Sequence, residues 1–197
     1  MGDENMLEEG LKLPEIIVFA GPNGSGKSTI TKMVNTAGKY INADDIKRST
    51  HCSDLEAAVK AEALREEALA NKESFTFETV LSTPRNLDLL RRAHEQGFFV
   101  RGFFVLTRSA DVNVFRVLMR AQAGGHDVPK DKIRSRFNRS LAQLPQFIDA
   151  CDICHIYDNT EELYRIYKKR KERGTSFPSV NWPPEKISML VNEGILL

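Results

Sequence analysis

Short apolar runs alternate along this chain with amphipathic stretches. Residues 15–20 hold Ile16, Ile17, Val18 and Phe19 in succession, the pattern of a strand buried on both faces. Residues 39–42 read as a second, shorter strand. Ser53 and Glu56 form a capping box. The helix it opens carries Leu55, Val59, Ala63, Leu64 and Ala68 at helical spacing. Residues 74–81 alternate and are rich in β-formers, which makes a third strand. Thr83-Pro84 starts a helix that buries Leu87, Leu90 and Ala93 and stops at Gly97. A fourth strand over 98–106 is apolar enough to be central, although Arg101-Gly102 breaks its period.

Beyond it the pattern predicts helices over 111–123 and 130–144, joined by a loop at Gly124-Gly125. A strand over 152–157, a charged, solvated helix over 161–173 and a short apolar C-terminal helix follow, with Trp182 in the core. Strands alternating with helices imply a parallel sheet covered on both faces. The expected fold is a three-layer α/β sandwich with a mostly parallel five-stranded sheet. It forms one domain over 1–197, with 111–144 as a helical lid and 1–13 as a frayed lead-in.

A chain of 197 residues suits one domain with a sizeable core. The net charge of +1 supplies no global field for extended nucleic acid or a membrane surface. No apolar run reaches bilayer-spanning length, and the acidic N-terminus lacks the order of a secretory signal. The expected compartment is therefore the cytoplasm, with thiols reduced. Of the three cysteines, Cys151 and Cys154 with His155 match the haem attachment pattern C-x-x-C-H. Without an export signal, and with residues three apart on a strand pointing to opposite faces, they read instead as buried structural thiols.

The most specific chemical signal is Gly21-Pro22-Asn23-Gly24-Ser25-Gly26-Lys27-Ser28-Thr29. It is a complete G-x-x-x-x-G-K-S/T motif between a strand and a helix-compatible stretch. Glycines let the backbone curl round a polyphosphate with its N–H groups inward. The helix start adds partial positive charge. Lys27 reaches the outer phosphates and Ser28 ligates Mg²⁺.

Asp44 and Asp45 follow the second strand, at the strand ends where ligand crevices open. They either accept a proton from a substrate hydroxyl or cap the next turn. Glu78, beside Thr79 on the third strand, has apolar neighbours. It either faces a partner in the site, as a holder of substrate hydroxyls or of a metal-bound water, or lies outward on an edge strand. Arg116 and Arg120 share one helix face, and Arg136 and Arg139 another. Guanidiniums delivered to a polyphosphate contribute about 10³–10⁵ in rate; the plainer reading is a solvated face. Arg134 reads as solvated. His126 either contacts phosphate or steadies the turn, and Asp158-Asn159 either meets a nucleotide base or starts a turn. No N-K-x-D segment for guanine is present.

Together these segments resemble the zeta toxin family. The resemblance rests on residues 21–29, on Ile41-Asn42-Ala43-Asp44-Asp45-Ile46, and on Phe75 to Ser82 with its Phe77-Glu78-Thr79 core. It extends to Asn113 to Val117, the Gly124-Gly125-His126-Asp127-Val128-Pro129 stretch, residues 133–141 and Tyr157-Asp158-Asn159. What the resemblance implies is an ATP- and Mg²⁺-dependent kinase acting on a sugar hydroxyl, for the toxins that of UDP-N-acetylglucosamine. It implies Lys27 and Ser28 on phosphates and Mg²⁺, and Asp44 as base. Glu78 would hold the substrate, with Thr79, Asp45, His126, Arg116 and Arg139 around it. Arg120 and Arg136 would neutralise the migrating phosphoryl group, and an antitoxin is the implied protein partner. The Gly124-Gly125-His126 lid resembles the zeta-like ATP-binding branch of the family; from the toxins themselves the chain departs at that lid and at Ile46, where they have an aromatic residue. Both departures bear on the substrate rather than on the reaction. Rival readings are a kinase of a nucleoside, antibiotic or polynucleotide end, and a non-catalytic ATP-binding regulatory module.

Overall fold

The computed structural model of the chain describes residues 13–125 and 128–196. His126 and the lead-in over 1–12 lie outside the described residues. The apolar run forms β1 (Glu15–Ala20), followed by α1 (Lys27–Thr31), β2 (Lys39–Ile41), α2 (Ala43–Thr50), α3 (Asp54–Ala70) and β3 (Phe75–Thr79). Then come α4 (Arg85–Glu95), β4 (Phe99–Leu106), α5 (Ala110–Gln122), α6 (Lys130–Ala142) and α7 (Leu144–Asp149). The chain closes with β5 (Ile153–Asp158), β6 (Tyr164–Arg170), β7 (Arg173–Ser176) and α8 (Pro184–Glu193).

All strands join one seven-stranded sheet in the order β2-β3-β1-β4-β5-β6-β7. The pairings among β2, β3, β1, β4 and β5 are parallel. They leave β1, and hence the loop that follows it, at the centre of the parallel part. The sheet has seven strands rather than the expected five, because the charged helix expected over 161–173 is an antiparallel hairpin, β6 and β7. Lys171 adopts a φ of 52° in its two-residue turn. Tyr164, Ile166 and Tyr167 are strong β-formers, and β5 offered an unpaired edge. Pairing with that edge outweighs the helical appearance of the run of charges. The α7 helix, with Pro145 in its first turn, was also not anticipated.

One face of the sheet carries most of the core. Ile16, Val18, Phe77 and Phe104 meet Leu87 and Leu90 of α4, Phe137 of α6, Phe147 of α7 and Ile187 of α8. Trp182 is buried there as expected. On the other face a smaller cluster packs Ile17, Phe19, Phe103 and Val105 against Ile30 of α1. The capping box at Ser53 and Glu56 is present. The buried stripe of α3, however, is Ala57, Ala61, Ala68 and Leu69, while Leu55 and Val59 are 75% and 58% exposed. Small alanines bring the first half of the helix close in place of Leu55 and Val59, while Ala68 is buried as expected and Leu64 packs against the core.

Gly102 breaks the period of β4 for a packing reason. A Cβ there would meet Cys151 Sγ at 2.5 Å and the Phe147 ring at 2.7 Å. Cys151 precedes β5 instead of lying on it, so Cys151 and Cys154 enter the same core cluster. The expectation of opposite faces fails, but the thiols are buried and unbridged. Among the described residues no helix is long and apolar enough to cross a membrane.

The smaller face sets a pH dependence. The His155 ring stacks on Phe103 at 5.2 Å. Burial, joined by Arg165, Lys168 and Arg101, lowers its pKa to about 4. In an unfolded chain a histidine titrates near ~6.5. As pH falls, the unfolded state therefore takes up a proton first. Stability drains between about 6.5 and 4, and this group removes no more below that window. Thermal melts of His155→Phe should lose less between pH 7 and 4 than melts of the parent. Parallel losses in both proteins would show that His155 is not a source of the slope.

Candidate active site

The loop between β1 and α1 has the backbone its sequence demands. Gly21, Gly24 and Gly26 adopt φ of 139°, 79° and 91°, conformations that cost L-residues roughly 1–3 kcal/mol each. Crowding adds to this. A Cβ would fall 2.1 Å from Val105 O at Gly21, 2.6 Å from Asn113 O at Gly24 and 2.0 Å from Asn159 Nδ2 at Gly26. Gly21→Ala should lower unfolding stability by at least about 1–3 kcal/mol in urea titrations. A variant as stable as the parent would mean that the loop is not held in this shape.

Side chains from three other elements brace the loop. Asn113 of α5 donates through Nδ2 to Asn23 O at 2.7 Å. It accepts from Thr107 at its Oδ1. Asn159, just after β5, donates to Ser25 O at 2.9 Å. Arg136 of α6 reaches Asn23 Oδ1 at 3.4 Å. The Ser25 hydroxyl is buried and has no hydrogen-bond partner among the described residues.

Lys27 lies in the first turn of α1 and folds back over the loop, donating to Gly21 O at 2.8 Å and Pro22 O at 3.3 Å. Its ammonium pKa is lowered, first by burial. Glu78 opposes that shift, Arg120 adds to it, and Asp44 opposes it. An acid from β3, an acid from α2 and a guanidinium from α5 thus act on one lysine. Parallel strand order explains the convergence: β2, β3, β1 and β4 all end on the side where the loop sits.

Asn42 caps α2, accepting from Asp44 N at 2.8 Å, so Asp44 itself is not the cap. Its carboxylate is exposed in the first turn. Glu78 is half-buried, and its Oε1 accepts from Tyr40 at 2.5 Å and from Thr31 at 3.3 Å. Burial and this hydrogen bond push the Tyr40 phenol well above its ordinary range.

Other anticipated residues are engaged elsewhere. Asp45 pairs with Arg48 on the surface at 3.0 Å. The Thr79 hydroxyl accepts from Leu81 N at 2.9 Å and Asn86 Nδ2 at 2.7 Å, fixing the turn after β3. Arg116 donates to Thr160 O at 2.9 Å. Arg139 is exposed on α6. Arg134 is tied to Asp111 at 2.8 Å, as a solvated residue would be. Gly125 lets the chain pass Arg120 closely, since a Cβ would lie 2.7 Å from Arg120 Cγ.

The sequence reading missed Tyr40, Thr31, Asn42 and Asn113. Alternation over 39–42 puts Tyr40 and Asn42 on one face, a signal available in the sequence. For Asn113 the signal was a single polar residue beside Val114 and Val117, both in an apolar cluster.

A cavity of about 390 Å³ opens beside Asn159, lined by Asp158, Thr160, Glu161, Tyr164 and Trp182 among others. Trp182 Nε1 donates to Asp158 Oδ2 at 2.8 Å on its floor.

No family model matches the chain. An uncharacterized protein of Haemophilus influenzae is 28% identical over 127 residues, covering 61% of this chain and 91% of its own. A structure of the PezAT chromosomal toxin–antitoxin system of Streptococcus pneumoniae superposes with a TM-score of 0.60. It is 19% identical over 87% of this chain and 78% of that one. The fold is zeta-toxin-like. The AvrRxo1-ORF1:ORF2 complex with ATP superposes at 0.68, with 15% identity over 92% of this chain. This chain spans 64% of that one. Similarity at these identities is a likeness of fold.

Proposed function

We propose that the chain is a kinase that transfers the γ-phosphoryl group of ATP to a hydroxyl of a small molecule, with a UDP-activated sugar such as UDP-N-acetylglucosamine as the leading acceptor. The observation that carries this reading is the convergence of Asp44, Glu78 and Arg120 on Lys27 beside a loop whose positive-φ turns glycine adopts without strain. A phosphate loop alone binds nucleotides. A carboxylate poised for an incoming alcohol, with a cation for the migrating group, is what transfer adds. The ATP complex of AvrRxo1, which shares the fold, supports the choice of nucleotide.

In this reading the loop amides hold the β- and γ-phosphates, and Lys27 leaves its two carbonyls for the phosphate tail. The base of the nucleotide occupies the cavity by Asn159 and Thr160, next to Arg116. The residues present suit Mg²⁺. Ser28 offers its hydroxyl in the first turn of α1, and Glu78 keeps one carboxylate oxygen beyond the Tyr40 and Thr31 bonds. Few protein ligands are the usual Mg²⁺ pattern, with water and phosphate completing the shell. Held there by Ser28 and Glu78, the ion would supply positive charge to offset that of the phosphates. Asp44 takes the proton of the attacking hydroxyl. Arg120 and Arg136 face the transferred group. Arg139, exposed on α6, stands on the acceptor side, while Asp45 and Thr79 stay with Arg48 and the turn after β3. PezAT and AvrRxo1-ORF1:ORF2 are two-component systems, which makes an antitoxin the partner class to look for.

Mass spectrometry of a metabolite extract incubated with protein and Mg-ATP tests the proposal. A nucleotide sugar gaining one phosphate is the expected product. Phosphate appearing only on nucleosides, antibiotics or polynucleotide ends would replace the acceptor. ATP binding with no phosphorylated product at all would favour the regulatory module.

A further inference from the structure

Tyr40 of β2 is hydrogen-bonded to one acid of the site, Glu78, and its strand leads into the α2 turn that carries Asp44. Asp44 N donates to Asn42 Oδ1 at 2.8 Å. Tyr40 donates to Glu78 Oε1 at 2.5 Å. Thr31 Oγ1 lies 3.3 Å from the same oxygen, and 3.1 Å from Lys27 O. Thr31 has one hydroxyl proton for these two acceptors. The phenol is therefore the donor on which the orientation of the Glu78 carboxylate depends.

We propose that Tyr40 is a positioning residue that fixes the orientation of the Glu78 carboxylate. This rests on the reading of the site as a phosphoryl-transfer centre. Glu78 is the charged group that most strongly opposes the burial of Lys27. With Oε1 fixed by the phenol, its other oxygen is kept for the metal-bound water or the acceptor hydroxyl. Without the phenol, the carboxylate is free to turn, and its second oxygen is no longer kept in place for the metal-bound water or the acceptor hydroxyl. Misplacement on the scale of 1 Å can cost about 10²-fold in rate.

Tyr40→Phe keeps the ring and removes the donor. Calorimetry with ATP in EDTA should give the parent affinity. Calorimetry with Mg-ATP should show weaker binding, and turnover should fall about 10–100-fold. Glu78→Gln should weaken Mg-ATP binding as well, and the double variant should be little worse than Glu78→Gln alone, because one residue acts through the other. Independent, multiplying losses would overturn the inference, as would parent-like Mg-ATP binding by Tyr40→Phe. A parent protein that phosphorylates no acceptor would contradict the proposed function and leave the calorimetric cycle able to judge Tyr40. Should Tyr40→Phe not fold, Glu78→Asp draws the carboxylate back from the phenol by one methylene: weaker Mg-ATP binding with parent affinity in EDTA supports the pair, and parent-like Mg-ATP binding overturns it.

Discussion

Asp44→Asn should slow phosphoryl transfer by about 10²–10⁴-fold, the range of a lost general base, while ATP binding persists. The structure sharpens this expectation. Asp44 is not the cap of α2, because Asn42 already accepts its N–H. As an acid in the first helical turn it contributes only about 0.3–1 kcal/mol to stability. Its carboxylate also acts on Lys27, so removing the negative charge leaves the triphosphate equally or more welcome. A structural role predicts a small loss of stability and unchanged turnover. A catalytic role predicts the reverse. Single-turnover assays beside calorimetry separate the two, and a variant with parental turnover would remove Asp44 from the mechanism.

Lys27→Ala should weaken Mg-ATP binding by about 10–100-fold, the value of losing a charged hydrogen bond worth roughly 1.5–3 kcal/mol. Turnover should fall further, by about 10²–10³, since developing charge loses a fixed cation. The same substitution should not destabilise the free protein strongly. Burial already lowers the Lys27 pKa, which means that the folded state holds the charged ammonium at a cost. A triphosphate removes that cost by placing negative charge beside it. Higher melting temperature without nucleotide and a smaller shift with it are the expected pair of results. Equal nucleotide-induced shifts in parent and variant would mean that the phosphates sit elsewhere.

The parallel core of the fold was legible because its signals are local. The run of Ile16 to Phe19, the glycine loop and the Ser53–Glu56 box are each read within a few residues, and each stands where the pattern put it. The hairpin of β6 and β7 was not legible in the same way. Its charged residues have helical composition, and only the free edge of β5 decides their pairing. The α3 stripe failed for a similar reason, since closeness of approach selected Ala57 and Ala61 over Leu55 and Val59.

For the site, the motif pointed to Lys27, while Asp44, Glu78 and Arg120 were read from strand ends and helix faces. The structure brings these four together electrostatically. The bracing amides of Asn113 and Asn159 and the phenol of Tyr40 depend on contacts across 38 to 134 positions of sequence. No window of sequence contains those pairs. Asp45 and Thr79 carried plausible chemistry, but one turned to Arg48 and the other to the turn after β3.

The most direct measurement is a crystal structure of the protein with Mg²⁺ and a non-hydrolysable ATP analogue. The account predicts Lys27 Nζ moved from Gly21 O and Pro22 O onto the terminal phosphate, with the Asp44 carboxylate on the open side of that phosphate. Phosphates bound away from residues 21–28, or Asp44 turned from the terminal phosphate with Lys27 still on its carbonyls, would contradict it.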